Sequence, residues 1–119
     1  MPQFQRGDVA DVLQVWREKD GSLKQKWRPG IIYDVLGEDH YSFLVFGKDR
    51  TGKIPGFKVD ANSGEGKEMR LTKDSFINMQ KLVKLRKEDV GRLRGYCTEE
   101  LMKKIEQKID EYGIERPLD

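Results

Sequence analysis

The chain has 119 residues, a length that suits one domain built around one modest hydrophobic core. Its 23 basic and 21 acidic residues nearly cancel, so the net charge of +2 does not by itself indicate a nucleic-acid-binding protein. A single cysteine, Cys97, excludes an intrachain disulfide and, with only one histidine, argues against a zinc site of these residue types. The sequence shows no leader-like apolar run and no apolar stretch long enough to span a membrane, so we expect a cytoplasmic protein.

The first half of the chain predicts short strands joined by turns. β-prone residues follow the turn-like Arg6 to Asp8 and continue to Trp16, and the pair Asp20-Gly21 predicts a hairpin. The run from Trp27 to Leu36 is almost continuously apolar, as in a strand buried on both faces. A further strand is predicted from Tyr41 to Phe46.

The middle of the chain continues in the same way. Ile54 to Val59 predicts a short strand, in which Pro55 marks an edge or a bulge. Asn62 to Lys67 is rich in glycine and polar residues and predicts a mobile loop. Ser75 to Leu85 alternates between apolar and polar residues, as in another strand. Five or so short strands at this spacing indicate a small barrel or sandwich.

The last quarter changes to helical periodicity. Lys87 to Arg94 predicts one short helix, and Thr98 is the expected N-cap of a second helix that stops at Gly113. The apolar stripe of the second helix predicts core packing: Leu101, Ile105, Ile109 and Tyr112. We therefore predict one mainly β domain over residues 1–119, with a barrel over about 6–86 and a helical C-terminal part over about 87–113.

Positive charge is clustered in spite of the nearly neutral total. Arg17 to Arg28 holds five basic and two acidic residues, Lys48 to Lys58 four and one, and Lys81 to Arg94 six and two. Such clusters neutralise phosphates and favour nucleic acid, which makes Arg50 and Lys53 candidate RNA-binding residues. The alternative interpretation is a solvated surface that keeps a small domain in solution.

Arg28 is the sharpest single candidate for binding an anion. Pro29 restricts the backbone of Arg28 to extended conformations, which holds its guanidinium beside the apolar strand. The planar guanidinium suits bidentate contact with a phosphate, and Trp27 is able to stack on an unpaired base. The alternative is a structural arginine that pairs with a carboxylate beside a core tryptophan.

The order of several segments resembles the MazF/PemK family of ribonuclease toxins. An opening Arg6 to Val9 is followed, after a variable hairpin, by Trp27 to Ile32 with the Arg-Pro pair before an aliphatic strand. Leu71 to Gln80 is similar to a later family segment in which a serine and hydrophobic residues precede a glutamine. Leu85 to Leu93 and Leu101 to Ile109 resemble the short and closing helices of the family, and the resemblance covers residues 6 to 112.

The resemblance implies a small SH3-like barrel with a C-terminal helix, as in MazF, PemK and CcdB, and a homodimer. It implies the toxin of a type II toxin-antitoxin system, inhibited by a cognate antitoxin protein. Family members are sequence-specific endoribonucleases that cleave single-stranded mRNA without metal or cofactor. The 2′-hydroxyl attacks the adjacent phosphate and gives a 2′,3′-cyclic phosphate. Arg28 stands at the family's Arg-Pro position and is expected to stabilise the charge on that phosphate.

The remaining site residues depart from the family pattern. Many members carry Thr-Ser at the end of the third strand, whereas Thr51 lies two or three residues later here. Thr51, Asp49 or Lys48 is therefore expected to complete the catalytic site beside Arg28. The family glutamine corresponds to Gln80, which is expected to position RNA together with Trp27.

Two other functions compete with the ribonuclease. One is a non-catalytic RNA- or protein-binding module on the same SH3-like barrel, without a working catalytic site. The other is a gyrase poison of the CcdB type, for which the C-terminal residues carry no signal. Cleavage of RNA in the presence of a chelator separates the first of these from the ribonuclease.

Overall fold

A computed structural model describes residues 4–118 of the chain, so that residues 1–3 and 119 of the predicted domain lie outside the described part. Seven strands and two α-helices make up the fold of the described residues. In chain order these elements are β1 (Asp8–Arg17), β2 (Leu23–Leu36), β3 (His40–Gly47), β4 (Gly56–Val59), α1 (Gly64–Glu68), β5 (Ser75–Asn78), β6 (Val83–Arg86), β7 (Val90–Tyr96) and α2 (Glu99–Tyr112).

The strands form one antiparallel sheet in the order β4-β5-β3-β2-β1-β7, and β6 pairs with β3. A mainly β fold with a C-terminal helix is therefore confirmed. Among residues 4–118 no strand pairing joins β4 to β7, so hydrogen bonds between these end strands do not close the sheet into a barrel. The predicted hairpin is confirmed: β1 and β2 pair from Val9 opposite Ile31 to Arg17 opposite Leu23, and Gly21 in the turn has a φ of 88°.

The predicted helix over Lys87 to Arg94, and with it the start of the helical part at 87, is wrong. Only Lys87–Asp89 forms a turn of 3-10 helix, and β7 follows directly and pairs with β1. Gly95 explains part of the difference, because a Cβ there would lie 2.6 Å from the carbonyl oxygen of Glu68. Gly95 directly follows the predicted helix and lets β7 pass close to the end of α1.

Two further predictions in the middle of the chain need correction. The strand predicted from Ser75 to Leu85 is divided into two strands. β5 pairs with β4 and with the end of β3, whereas β6 pairs with the start of β3. The loop predicted over Asn62 to Lys67 contains α1, whose N-cap Ser63 accepts a hydrogen bond from the Gly66 amide. The first difference follows from tertiary pairing and the second from an N-cap. Hydrophobic periodicity detects neither of them.

The closing helix α2 has the predicted ends. Thr98 accepts a hydrogen bond from the amide of Leu101, and Gly113 adopts the left-handed conformation with a φ of 64°. Leu101, Ile105 and Ile109 are buried as predicted, whereas Tyr112 is 40% exposed. Among residues 4–118 no helix is both long enough and apolar enough to cross a bilayer.

The sheet has apolar residues on both faces. One cluster lies between the sheet and α2, where Ile31 and Leu44 from the strands meet Ile105 and Ile109 from the helix. The second cluster lies on the opposite face: Phe4, Ala10, Val12, Ile32, Tyr41, Phe43 and Val45. Because β2 supplies residues to both clusters, it is buried on both faces at Ile31 and Ile32, as its continuous apolar run predicts.

Two arginines at the ends of the described chain are used to hold it together. Arg6 and Arg116 each contact Glu106 of α2, at 2.9 Å and 3.0 Å, and Arg116 also donates to Asp110. The hydroxyl of Tyr33 donates to the same glutamate. Burial favours a higher pKa for Glu106, but the hydrogen bonds from Tyr33, Arg6 and Arg116 outweigh it and hold the pKa below its ordinary value. These guanidinium groups are therefore already paired with carboxylates.

Candidate functional site

The first half of β2 has a free edge. β2 pairs with β1 from Ile31 back to Leu23, whereas its pairing with β3 runs only from Leu36 to Gly30. Pro29 stands where that ladder stops, and it has no N–H to donate to a neighbouring strand. Beyond that point β3 turns to β5, with Phe46 opposite Ile77. The divergence of the two strands opens a space beside residues 26–29.

This space is a cleft of about 500 Å³, which we call the main cleft. Three segments line it: the free edge of β2, the end of β3 with its following loop, and the stretch between α1 and β5. Arg94 of β7 completes the wall. The lining residues are Lys26, Trp27, Arg28, Pro29, Phe46, Gly47, Lys48, Asp49, Met69, Arg70, Leu71, Thr72, Lys73, Asp74, Ser75 and Arg94.

The charge of the main cleft is strongly positive, with six basic and two acidic side chains among its lining residues. One of the basic groups is already paired, because Arg94 contacts Asp11 at 2.9 Å. A concave surface lined by one sign of charge concentrates counter-ions of the opposite sign. The main cleft is therefore suited to an anionic ligand, although the whole protein is nearly neutral.

Arg28 lines the main cleft and also the smaller pocket beside it. Its Nε is buried and has no hydrogen-bond partner among residues 4–118. No ion pair between Arg28 and a carboxylate occurs in the described part of the chain, so the structural alternative considered from the sequence is not found. A buried donor without a partner costs about 1 to 3 kcal/mol, more when it is charged. An anion that accepts from this nitrogen would remove that cost.

Trp27 lies beside Arg28 and is not a core residue. The side chain is 48% exposed, and its ring lies over Gly91 of β7, where an added Cβ would be 3.1 Å from the ring. Packing on the glycine backbone holds the indole against β7 while much of its surface faces solvent. An indole fixed in this way offers a stacking platform for a planar ligand.

Two of the other predicted catalytic residues reach the main cleft and one does not. Lys48 and Asp49 line it, whereas Thr51 does not. The hydroxyl of Thr51 instead donates to Oδ1 of Asp49 at 2.6 Å, and the Thr51 amide donates to the same oxygen at 3.0 Å. These hydrogen bonds lower the pKa of Asp49, and the nearby Lys58 lowers it further. Thr51 therefore contacts the cleft only through Asp49.

The predicted RNA-binding residues are more dispersed. Arg50 lines a smaller pocket of about 200 Å³, the side depression, which shares Arg28 and Lys48 with the main cleft. Gln80 lies in a separate depression, and Lys53 is exposed and lines none of these three pockets. Trp27 is thus the one RNA-binding candidate that shares the main cleft with Arg28.

Sequence reasoning missed the wall that faces Arg28. This wall is the stretch from Met69 to Ser75, with the cations Arg70 and Lys73, the carboxylate of Asp74 and the hydroxyls of Thr72 and Ser75. The spacing of Lys67, Arg70 and Lys73 was a signal for a basic segment. Its position opposite Arg28 depends on α1 and on the pairing of β5, which no local pattern specifies.

Arg70 has an unusual backbone. Its φ of 55° makes it the only non-glycine residue among residues 4–118 with a positive φ. It ends α1: the Arg70 amide donates to the carbonyl of Lys67, and the Leu71 amide donates to that of Gly66. Helix α2 ends with the same pair of bonds and uses Gly113 in the left-handed position. An arginine here costs stability that a glycine would not, and it places a cation at the rim of the main cleft.

Two reactive residue types lie outside the main cleft. His40 begins β3 opposite Leu36, at the far end of the β2-β3 ladder. Burial raises the pKa of the Cys97 thiol to about 12, and the charge of Glu65 adds to this effect. The raised pKa favours the protonated thiol, which is a weaker nucleophile than the thiolate.

Comparisons with known proteins do not identify this chain. No protein-family model matches it, and a search of curated proteins finds no significant match. The functional interpretation therefore rests on the geometry of the main cleft and on the resemblance in segment order described above.

Proposed function

We propose that this protein is a metal-independent endoribonuclease that cleaves single-stranded RNA in the main cleft, as the toxin of a type II toxin-antitoxin system. The observation that carries the proposal is the buried, unpartnered Nε of Arg28 within a basic cleft beside the exposed ring of Trp27. A phosphodiester supplies the missing acceptor for Arg28, and an unpaired base supplies the partner for Trp27.

The resemblance to the toxin family also suggests a finer fold, a compartment and protein partners. We propose an SH3-like arrangement of the curved sheet, a homodimer in the cytoplasm, and inhibition by a cognate antitoxin. Val15 and Leu23 support a protein partner, because they are 57% and 63% exposed on one face of the β1-β2 hairpin.

The proposed reaction is an internal displacement at phosphorus. The ribose 2′-oxygen attacks the adjacent phosphorus, and Asp49 accepts the proton of that hydroxyl. Arg28 stabilises the negative charge that develops on the non-bridging oxygens, which is the largest contribution expected. The bond from phosphorus to the 5′-oxygen breaks, and Lys48 donates a proton to the departing oxygen. The products are a 2′,3′-cyclic phosphate and a 5′-hydroxyl end.

Cleavage in the presence of EDTA tests this proposal directly. Purified protein is expected to cut single-stranded RNA in excess EDTA and to leave 5′-hydroxyl ends, which polynucleotide kinase labels without prior phosphatase treatment. Protein that cuts none of a broad set of RNAs, with or without divalent cations, would contradict the proposal. Cleavage that requires a divalent cation would contradict the mechanism.

A non-catalytic binding module remains the second candidate, and one observation favours it. The only hydroxyl near the family position, that of Thr51, lies outside the main cleft and donates to Asp49. If Asp49 does not act as a base, the main cleft still holds a phosphate on Arg28 and a base on Trp27. Tight binding of single-stranded RNA without any cleavage is the result expected for this module.

Arg70→Gly is expected to make the protein more stable and to weaken its binding to RNA. Glycine relieves the left-handed backbone, so the free energy of unfolding is expected to rise by about 0.5 to 1 kcal/mol in urea titrations. Loss of a cleft cation is expected to weaken RNA binding and to reduce the slope of log affinity against log salt by about 1.

Arg70→Ala is the matched control for this variant. It removes the same charge but keeps a Cβ in the left-handed conformation. We expect the same loss of RNA affinity without the gain in stability. Unchanged RNA affinity in both variants would remove Arg70 from the binding surface.

A further inference from the structure

A third depression lies next to the side depression. It has a volume of about 330 Å³ and is lined by Gln14, Val45, Asn78, Gln80, Lys81 and Val83. We call it the amide depression. It shares Gln14, Val45 and Asn78 with the side depression, which in turn shares Arg28 and Lys48 with the main cleft. The three pockets are therefore neighbours, and Arg28 lines both the main cleft and the side depression.

Strand register places the amide depression close to Arg28. Val12 of β1 lies opposite Arg28, and Gln14 lies opposite Lys26. Residues directly opposite in an antiparallel pair share a face, so Gln14 and Arg28 are diagonal neighbours on the same face, about 7 to 8 Å apart. One nucleotide is long enough to place its phosphate at Arg28 and its base beside Gln14.

The polar groups of the amide depression are only partly used by the protein. Oδ1 of Asn78 accepts from the amide of Gln80 at 2.8 Å, and Nδ2 of Asn78 donates to Oε1 of Gln80 at 3.3 Å. This pair orients the side chain of Gln80 and leaves its Nε2 available. On the opposite wall the amide of Gln14 makes no hydrogen bond to any described residue. Val45 and Val83 add apolar surface to the same depression.

These features are those of a site for one heterocyclic base. A carboxamide offers a donor and an acceptor side by side, which matches the donor and acceptor pattern along the edge of a base. Apolar side chains contact the rings, and single-stranded RNA presents unpaired bases to such pockets. A role in holding a turn explains the amide of Asn78. It does not explain Gln14, whose side chain makes no hydrogen bond to residues 4–118.

We propose that the amide depression binds one base of the RNA strand, next to the phosphate held by Arg28, and that Gln14 and Gln80 read its edge. The proposal rests on the proposed function and adds to it a place where sequence preference arises. Gln14 and Gln80 are specificity residues in this assignment, and they take no part in bond breaking.

Binding of four homopolymers tests the assignment. Octamers of A, C, G and U with 2′-O-methyl riboses lack the 2′-hydroxyl nucleophile, so that affinity is measured without cleavage. Wild-type protein is expected to prefer its best homopolymer over its worst by about tenfold or more. Gln14→Ala and Gln80→Ala are expected to reduce this preference to about threefold or less.

Gln25→Ala is the matched control, because Gln25 lies opposite Val15 on the other face of the same hairpin and lines none of the three pockets. It is expected to keep the wild-type preference, and thermal unfolding is used to check that all three variants are folded. A wild-type preference that survives both Gln14→Ala and Gln80→Ala would overturn the assignment and leave the proposed function intact. Equal affinity of the wild-type protein for all four homopolymers would also overturn the assignment and leave the proposed function intact. Failure to bind any single-stranded RNA, unmodified RNA included, would overturn the proposed function and this assignment with it.

Discussion

Arg28→Ala is expected to lower the rate of RNA cleavage by about 10²- to 10³-fold, the usual effect of removing one donor that stabilises a developing oxyanion. The guanidinium is positioned before substrate arrives, because Pro29 and the β1-β2 ladder hold the backbone of Arg28 extended. Its Nε has no partner among the described residues, so that removing it breaks no hydrogen bond of the fold. The loss is expected in kcat under single-turnover conditions with saturating enzyme.

The stability of Arg28 variants separates a functional arginine from a structural one. Arg28→Met keeps an apolar stem of similar length and removes the orphaned donor, so its free energy of unfolding is expected to equal or exceed that of the wild type, within about 1 kcal/mol. Arg28→Lys retains the charge but loses the planar fork, and it is expected to recover only part of the activity.

Arg92→Ala serves as the control for Arg28, because Arg92 is exposed on β7 and does not line the main cleft. It is expected to cleave RNA at the wild-type rate. The site assignment fails if Arg28→Met unfolds, or if Arg28→Ala retains cleavage within about threefold of the wild type.

Asp49→Asn is expected to lower the rate of cleavage by about 10²-fold, at the low end of the range for a general base. This loss of rate is at the low end because Asp49 is a weak base. The hydrogen bonds from Thr51 hold the pKa of Asp49 below its usual range. Asparagine keeps an oxygen that is able to accept from Thr51, so the loop is expected to retain its conformation. Single-turnover cleavage measures the effect, and Asp39→Asn at the β2-β3 turn is a control outside the main cleft.

The pH dependence of cleavage identifies Asp49 more specifically. A base must be ionised, so the rate is expected to fall as the pH falls through the lowered pKa of Asp49. Thr51→Val removes the hydroxyl that lowers this pKa, and the acid limb of the profile is therefore expected to move to higher pH. An acid limb that does not move, together with near-normal cleavage by Asp49→Asn, would exclude Asp49 as the base and favour the binding module.

Local patterns predicted those parts of the fold that local contacts determine. The hairpin turn at Asp20-Gly21 needs a residue with positive φ, and Gly21 provides it. Thr98 and Gly113 end α2 where the sequence places them, because a cap is satisfied within a few residues of the chain. The two-sided burial of β2 follows from its continuous apolar run.

Pairing over long distances was not predictable in the same way. Lys87 to Arg94 carries Val90 and Leu93 at a spacing that suits a helix, but the segment becomes β7 because β1 offers it a free edge. Ser75 to Leu85 reads as one strand, yet β5 pairs with β4 and with the end of β3, whereas β6 pairs with the start of β3. Such choices depend on partners distant in the chain, and the free energy of pairing outweighs local propensity.

The candidate site also combines features set by local sequence with features set by long-range packing. The sequence by itself determined that Arg28 is held extended beside Trp27, because Pro29 restricts the residue before it. Only the tertiary structure decided that Arg28 lacks a carboxylate partner and that Arg70 and Lys73 line the cleft with it. The physical reason is that a side chain's ionic and hydrogen-bond partners depend on which strands and loops are neighbours in space, and the divergence of β3 from β2 sets those neighbours.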